Sequence, residues 1–293
     1  MILKATIHKS NAVPRAAILL FLMFPGSVFA QIPSESTQPD DALVTRALTN
    51  ELTAAQDTGH PMQYRLRKSS PHLISTKEIL ETKDGAVARL LSINDAAPSL
   101  ADRQKDEARL DELLADPSRQ RKRKQTEQDD TGRALKVLRV LPKAFLYHYA
   151  GSETNGSQTL KRYTFTPNPT FTSTDLELLI LGAMSGTLTI DAAHQRVVRL
   201  EGHLEKDVAI GWGILGRLNK GGWLVIQQAE VGAGQWRIVH FQMLMSGRVL
   251  FTTRSFDTTE EESEYAPVPV GLSYQQAIQM LRSGQGSPTM AGK

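Results

Sequence analysis

The chain has 293 residues, 40% of them hydrophobic, with 34 Lys or Arg against 31 Asp or Glu and no cysteine. The lack of cysteine excludes a disulfide scaffold, a thiolate metal site and a cysteine nucleophile. Residues 1–30 hold three of the basic residues and no acidic one, so the remainder carries 31 of each sign, and a global electrostatic case for nucleic acid disappears.

In chain order, Lys4, Lys9 and Arg15 precede the apolar run Ala16 to Phe24, and Val28-Phe29-Ala30 follows as a small-x-small site. This pattern predicts a signal peptide cleaved after Ala30 and an exported, periplasmic protein. Pro25 and Gly26 interrupt the run, which is shorter than the ~20 residues of a membrane span. Residues 31–40 (QIPSESTQPD) read as a polar linker. From Asp41, Leu43, Ala47, Leu48, Leu52 and Ala55 keep helical spacing. At Met62 the period becomes two, giving a strand, and 75–93 reads as two strands about the turn Lys83-Asp84-Gly85.

Residues 101–149 are rich in helix formers, with Leu110, Leu113 and Leu114, then Leu135, Leu138 and Leu141 on one face, and predict a helical insert. Alternating strands return at Lys161 to Thr166, Gly186 to Asp191, Arg196 to Leu204, Val208 to Leu215, Trp223 to Glu230, Gln235 to Met245 and Arg248 to Asp257. The gaps between most of them are turn-length, which demands antiparallel neighbours. Ser273 and Gln276 stand at capping-box spacing before a last short helix, and 284–293 read as a disordered tail.

Gly211, Gly213 and Gly216 have the Gly-x-Gly-x-x-Gly spacing of a dinucleotide loop. That loop requires its third glycine to open a helix whose amides hold pyrophosphate. Here only Arg217 and Leu218 separate Gly216 from the turn Asn219-Lys220-Gly221-Gly222, so a glycine-bent hairpin is expected and no nucleotide. His194 and His203, with Asp191 and Glu201, could converge on a metal, but they also read as ordinary hairpin charges. No Gly-x-Ser-x-Gly elbow occurs, Ser246 reads as a turn residue, and the acids of "TTEEESEY" (258–265) read as a solvated segment. Neither enzyme chemistry nor a cofactor is expected. The basic run Arg119, Arg121, Lys122, Arg123 and Lys124 offers contacts to an anionic surface, although helix-face pairing such as Arg123 with Glu127 explains much of it.

The segment "GTLTIDAAHQRVVRLEG" (186–202) resembles the strand-turn-strand of the outer-membrane lipoprotein carrier and sorting proteins, the Lol-type fold. The stretches "ARLLSINDAAPS", "LADPSRQRKRK", "LPKAFLYHYAG", "FTPNPTF", "DVAIGWGILGRLNKGG" and "APVP" resemble an uncharacterised family of exported bacterial proteins across most of 60–283. The Lol-type resemblance implies a curved antiparallel sheet closing over helices around an apolar cavity for acyl chains.

The expected fold class is therefore α+β: a strongly curved antiparallel sheet, an incomplete β-barrel of about eight to ten strands, with helices on its concave face. It forms one Lol-like domain over 41–283 with the helical insert 101–149. The expected function is non-catalytic binding or carriage of an apolar or amphipathic ligand, a lipid or lipoprotein acyl chain. The other reading is an envelope interaction or regulatory protein that senses lipid or misfolded protein through a partner. Candidate lining residues are Leu188, Ile190, Val198, Leu200, Ile210, Trp212, Trp223, Val225, Phe241 and Met243, each of which reads equally as ordinary packed core. Expected partners are a lipid or acylated protein, an envelope protein and transient contact with a membrane surface.

Overall fold

The computed structural model describes residues 41–156, 158–210, 216–249 and 252–284. The expected signal peptide, the linker, Trp212 and the stretch 285–293 lie outside them. The described residues form five helices and twelve strands. The helices are α1 (Asp41–Ala55), α2 (Leu100–Ala115), α3 (Pro117–Ala144), α4 (Leu176–Leu181) and α5 (Tyr274–Ser283). The strands are β1 (Met62–Ser70), β2 (Leu73–Leu80), β3 (Val87–Ile93), β4 (Phe145–Asn155), β5 (Gln158–Pro167) and β6 (Met184–Asp191), followed by β7 (Arg196–Leu204), β8 (Val208–Ile210), β9 (Gly216–Leu218), β10 (Trp223–Glu230), β11 (Trp236–Val249) and β12 (Thr252–Pro267).

All the strands belong to one antiparallel sheet, in the order β3-β2-β1-β12-β11-β10-β7-β6-β5-β4, with β8 and β9 branching from β11. The path does not close: β3 and β4 are its two ends. The fold class expected from the sequence, an open α+β sheet with helices, is the one observed, with two more strands than the upper estimate. One is β9, which follows the run Val208 to Leu215; β8 is the described part of that run, and the residues 211–215, with Gly211 and Gly213, lie outside the described residues. The other is β4, which corrects the helical insert: helix ends at Ala144, and the residues 145–149 begin a strand. Pro142 sits in the last turn of α3, and the alternation Phe145-Leu146-Tyr147-His148-Tyr149 then takes over, with Phe145 buried and Leu146 exposed.

Two other expectations change. Ser246-Gly247 is not a turn, because β11 runs through it to Val249. Gly247 is needed there for close approach, since a Cβ would stand 2.6 Å from the Arg217 carbonyl oxygen on β9. The acids of "TTEEESEY" lie in β12, which pairs with β1 from Ser69 to Met62; Glu261 and Glu264 are solvated as expected, but the segment is a strand and Glu260 is buried. Its acids face β1's bases: Arg67 with Glu261 at 3.1 Å, and Lys68 with Glu260. Cross-strand charge pairing lets a polar run form a strand.

Helix α3 ties the two open edges together. Its C-terminus runs directly into β4, while side chains near its N-terminus, with others from α2, satisfy the outer backbone groups of β3. Leu90 N–H donates to Asp106 (2.9 Å) and Ala86 N–H to Glu127 (3.0 Å). The Ala88 carbonyl accepts from Arg109 (2.5 Å), Ala86 O from Arg123 (3.3 Å), and the Asp84 and Gly85 carbonyls from Gln120 (2.9 and 3.0 Å). Gly85, at φ 95°, brings the β2–β3 turn so near α3 that a Cβ would lie 3.2 Å from the Lys124 backbone. From Glu127 to Ala144 a helix rises about 26 Å. Ten strands span about 43 Å along a sheet. A helix that meets both edges over the shorter distance requires the sheet to bow.

Candidate functional site

The face of the sheet beneath α1 and α3 is defined by strand register. Tyr163, Leu188, Leu200, Ile226 and Phe241 form one cross-strand row, and Phe165, Gly186, Gly202, Leu224 and Met243 form the next. Both rows point inward to a core that includes Leu43, Val44, Ala47 and Leu48 of α1 and Val137, Leu141 and Ala144 of α3. Gly186 is obligatory in its row, because a Cβ would meet the Glu201 carbonyl at 1.9 Å and the Phe165 ring at 2.8 Å.

Five of the residues proposed from sequence stand on this inner face: Leu188, Ile190, Leu200, Phe241 and Met243. Trp223 and Val225 do not, since they alternate with the inward Leu224 and Ile226 and share outer rows with His203 and Glu201. A one-residue phase error moves every side chain of a strand to the other face. Leu224 and Ile226 take their places; they were distinguishable only by the register with Gly202 and Leu200. Val198 is the extra residue of a bulge between Ile190↔Val197 and Thr189↔Arg199, and Val197 occupies the inward position. Ile210 ends β8, at the margin of the described residues.

One polar clamp fixes α1 to this apolar surface. The Glu51 carboxylate, 7% exposed, receives Arg196 Nε and Nη2 side-on, both at 2.9 Å. Val197 N–H donates to it at 2.9 Å and Gln228 Nε2 at 3.1 Å. The Arg196 guanidinium lies over the Trp236 ring at 5.6 Å. Asn50 Nδ2 donates to the Gln195 carbonyl at 3.0 Å. Both carboxylate oxygens of Glu51 are engaged, and no buried side-chain atom of this cluster is left without a partner among the described residues, as a buried ion pair requires. Nothing in the sequence alone joined Glu51 to Arg196, which are 145 residues apart.

The other motifs resolve into structure. Gly216 opens strand β9, not a helix, so the glycine spacing provides no N-terminal amides for a pyrophosphate. Among the described residues no group of three or more His, Asp or Glu could hold a metal. Burial opposes ionisation of Asp191, but the His194 amide, the His194 ring (2.9 Å) and the Ala193 amide outweigh it and hold the carboxyl below its ordinary range. The hydrogen bond to Asp191 in turn raises the His194 imidazole. His203 sits on the outer face, where burial lowers it. Glu201 is engaged by Arg199 and Thr187.

The basic run divides along α3. Arg119 pairs with Glu112 and Asp116, and Lys124 donates to the Lys83 carbonyl at 2.7 Å. Arg123 caps β3, while Arg121 and Lys122 are exposed. Ser246, in β11, accepts from Asn219 Nδ2 at 3.0 Å. A surface hollow of about 570 Å³ lies apart from all of these, between Pro269–Leu272 and α5, with no charged residue in its lining.

No protein-family model and no curated protein match the chain. Among solved structures it is similar to a LolA superfamily protein from Nitrosomonas europaea, at 9% identity and TM-score 0.28, over 80% of this chain and 96% of that one. It is also similar to an outer membrane lipoprotein-sorting protein domain, described as putative, from Vibrio parahaemolyticus, at 10% identity and TM-score 0.29, over 80% and 97%. A DUF1329 family protein from Desulfovibrio piger is similar at 9% identity and TM-score 0.31, over 81% and 96%.

Proposed function

We propose that this chain is a non-catalytic, exported binding or carrier protein for an apolar or amphipathic ligand, a lipid or lipoprotein acyl chain, held between the inner face of the sheet and α1 with α3. The observation that carries this reading is the construction of the cover. Two apolar rows cross from β5 to β11, and the helix laid over them is joined to the sheet by apolar contacts and one polar clamp. Apolar contacts are non-directional and can be exchanged for an acyl chain at small net cost, whereas a catalytic site would need converging polar groups. Phe241, Met243, Met245 and Ile226 give this surface side chains of varied shape, and methionine adapts to irregular apolar partners.

Native mass spectrometry of the exported protein, purified without detergent and followed by organic extraction, tests the reading. A stoichiometric acyl lipid released on denaturation is expected. A stable monomer that is empty and also refuses added fatty acyl chains would sink it, and would turn the search to protein partners of the exposed helix face at Arg121 and Lys122.

A further inference from the structure

The inner face changes character between β12 and β3. Beyond Phe241 its row continues through Glu260 and Lys68, and the neighbouring row runs from Glu262 through Leu66 to Lys77. Glu260 is paired with Lys68, and Glu262 accepts from the Tyr265 hydroxyl. Lys77 differs from both: it is largely buried, and among the described residues its ammonium has neither a hydrogen-bond nor an ion-pair partner. Around it stand Arg109 and Asp106 of α2, Arg123 of α3 and Lys68 of β1.

The carboxylates that could neutralise this group are committed elsewhere. Asp106 holds the Leu90 amide and Arg109, and Glu127 holds the Ala86 amide. Three cations, Lys77, Arg109 and Arg123, thus share their surroundings with two engaged carboxylates. Two guanidinium donors are also buried without an acceptor, Arg109 Nη1 and Arg123 Nε. Each arginine is fixed by its other nitrogens to the edge of β3, at Ala88 O and Ala86 O, so these free N–H groups are held in place. Lys77 lies one strand in from that edge, opposite Leu90. Buried donors without partners and a buried ammonium with no carboxylate in contact are costly, and a bound anion within reach of all three would satisfy them.

We propose that Lys77, Arg109 and Arg123 form a binding site for a compact oxyanion of the phosphate class. Its use as a headgroup site rests on the carrier reading above; the anion site itself does not. The position fits a headgroup, since Lys77 is three strands from Phe241, about 14 Å across the sheet. A diacyl phosphate would then place its chains on the apolar rows and its anion at the cationic end. Burial, reinforced by Arg109 and Arg123 against Asp106, pushes the Lys77 ammonium down to about 8, so anion binding is readable as its recovery.

The test uses the full chain with ¹⁵N-labelled lysine. Titration of the Lys77 ammonium by NMR is compared in inorganic phosphate and in chloride at equal ionic strength. In parallel, lipid capture is measured from phosphatidylcholine vesicles containing either phosphatidic acid or the matching diacylglycerol. The expected results are a midpoint raised by about one unit in phosphate alone, and capture of phosphatidic acid at least tenfold over diacylglycerol. Lys77→Met should remain folded, lose the preference, and keep the weaker capture of diacylglycerol. A phosphate effect without capture of either lipid would mean a free anion as ligand, retaining the site while the carrier reading fails. An unmoved midpoint, or an equal shift in chloride, with both lipids captured alike by wild type and Lys77→Met, would overturn the anion site and leave the carrier reading standing.

Discussion

Two charged residues at the inner side of the sheet, Glu51 on α1 and Lys77 on β2, test opposite rules for burying charge. Glu51 is fully matched, so removing it harms: Glu51→Ala leaves Arg196, the Val197 amide and Gln228 without their acceptor, at a cost of about 3–5 kcal/mol. Chemical denaturation should show that loss, and a Glu51→Leu/Arg196→Met pair should restore only part of it, because Val197 N–H stays unmatched while Gln228 keeps only the Val197 carbonyl (3.1 Å). Full restoration would mean that the clamp is a simple ion pair. Lys77 is unmatched, so removing it helps. Its folded value of about 8 lies below the ordinary 10.5. Below pH 8 the amine is protonated in both states and the burial cost is fully present. Between about 8 and 10.5 the unfolded chain binds more protons, so stability rises with pH. Lys77→Met should therefore raise stability by roughly 2–3 kcal/mol at pH 7. Urea midpoints of the two proteins should converge as the pH approaches 10, and a pH-independent difference would show that the ammonium is not buried in the folded state. Neither residue stood out in the sequence. Lys77 sits in the polar middle of the strand Leu73–Leu80, and only the packing of α2 and α3 along β3 makes it unusual. Leu188 and Ile190 were legible because Thr187 and Thr189 alternate with them, and Leu200 because Arg199 and Glu201 flank it, whereas in Trp223-Leu224-Val225-Ile226 four apolar residues in succession carry no phase.

At the scale of elements, α3 is defined as much by what it caps as by what it buries. The outer edge of β3 would otherwise present free N–H and C=O groups to another chain. Asp106 and Glu127 satisfy two of those amides. Asp106→Ala with Glu127→Ala should raise hydrogen exchange at Leu90 and Ala86 about tenfold. It should also produce concentration-dependent self-association in sedimentation. Unchanged exchange at both amides would mean that the edge is protected by burial alone. This helix was legible from Leu135, Leu138 and Leu141, but its end was not: the helix formers run into β4 without a glycine stop, and the partner strand β5 decides where helix yields to strand. The strand character of the polar run in β12 was illegible for a related reason, since it comes from pairing with Arg65, Arg67 and Lys68 on a strand nearly 200 residues away. Gly132 offers a local check on α3. Nothing lies within 4 Å of a Cβ placed there, so Gly132→Ala should stabilise the protein by about 0.5–1 kcal/mol in thermal or urea unfolding.

The whole molecule depends on α3 because the sheet is open. Hydrogen bonds pass along the ten strands from β3 to β4, but the two ends are linked to each other only through this helix among the described elements. The apolar cluster that includes α1, Val137 and Leu141 lies at one end of α3, and the cationic cluster of Lys77, Arg109 and Arg123 at the other. Gly132 stands between them. Gly132→Pro breaks the helix at that point, removing a helical hydrogen bond at a cost of about 3 kcal/mol or more. If α3 is a strut, the loss should be unequal across the sheet. Amides at Ala86 and Leu90, held by helix side chains, should exchange much faster, while those of Leu188 and Ile190, deep in paired strands, should keep most of their protection. The preference for phosphatidic acid over diacylglycerol should fall, because the two ends of the ligand would no longer be held in register. A uniform loss of protection at all four amides would show instead that the curved sheet and its helices form one cooperative unit in which α3 has no special place.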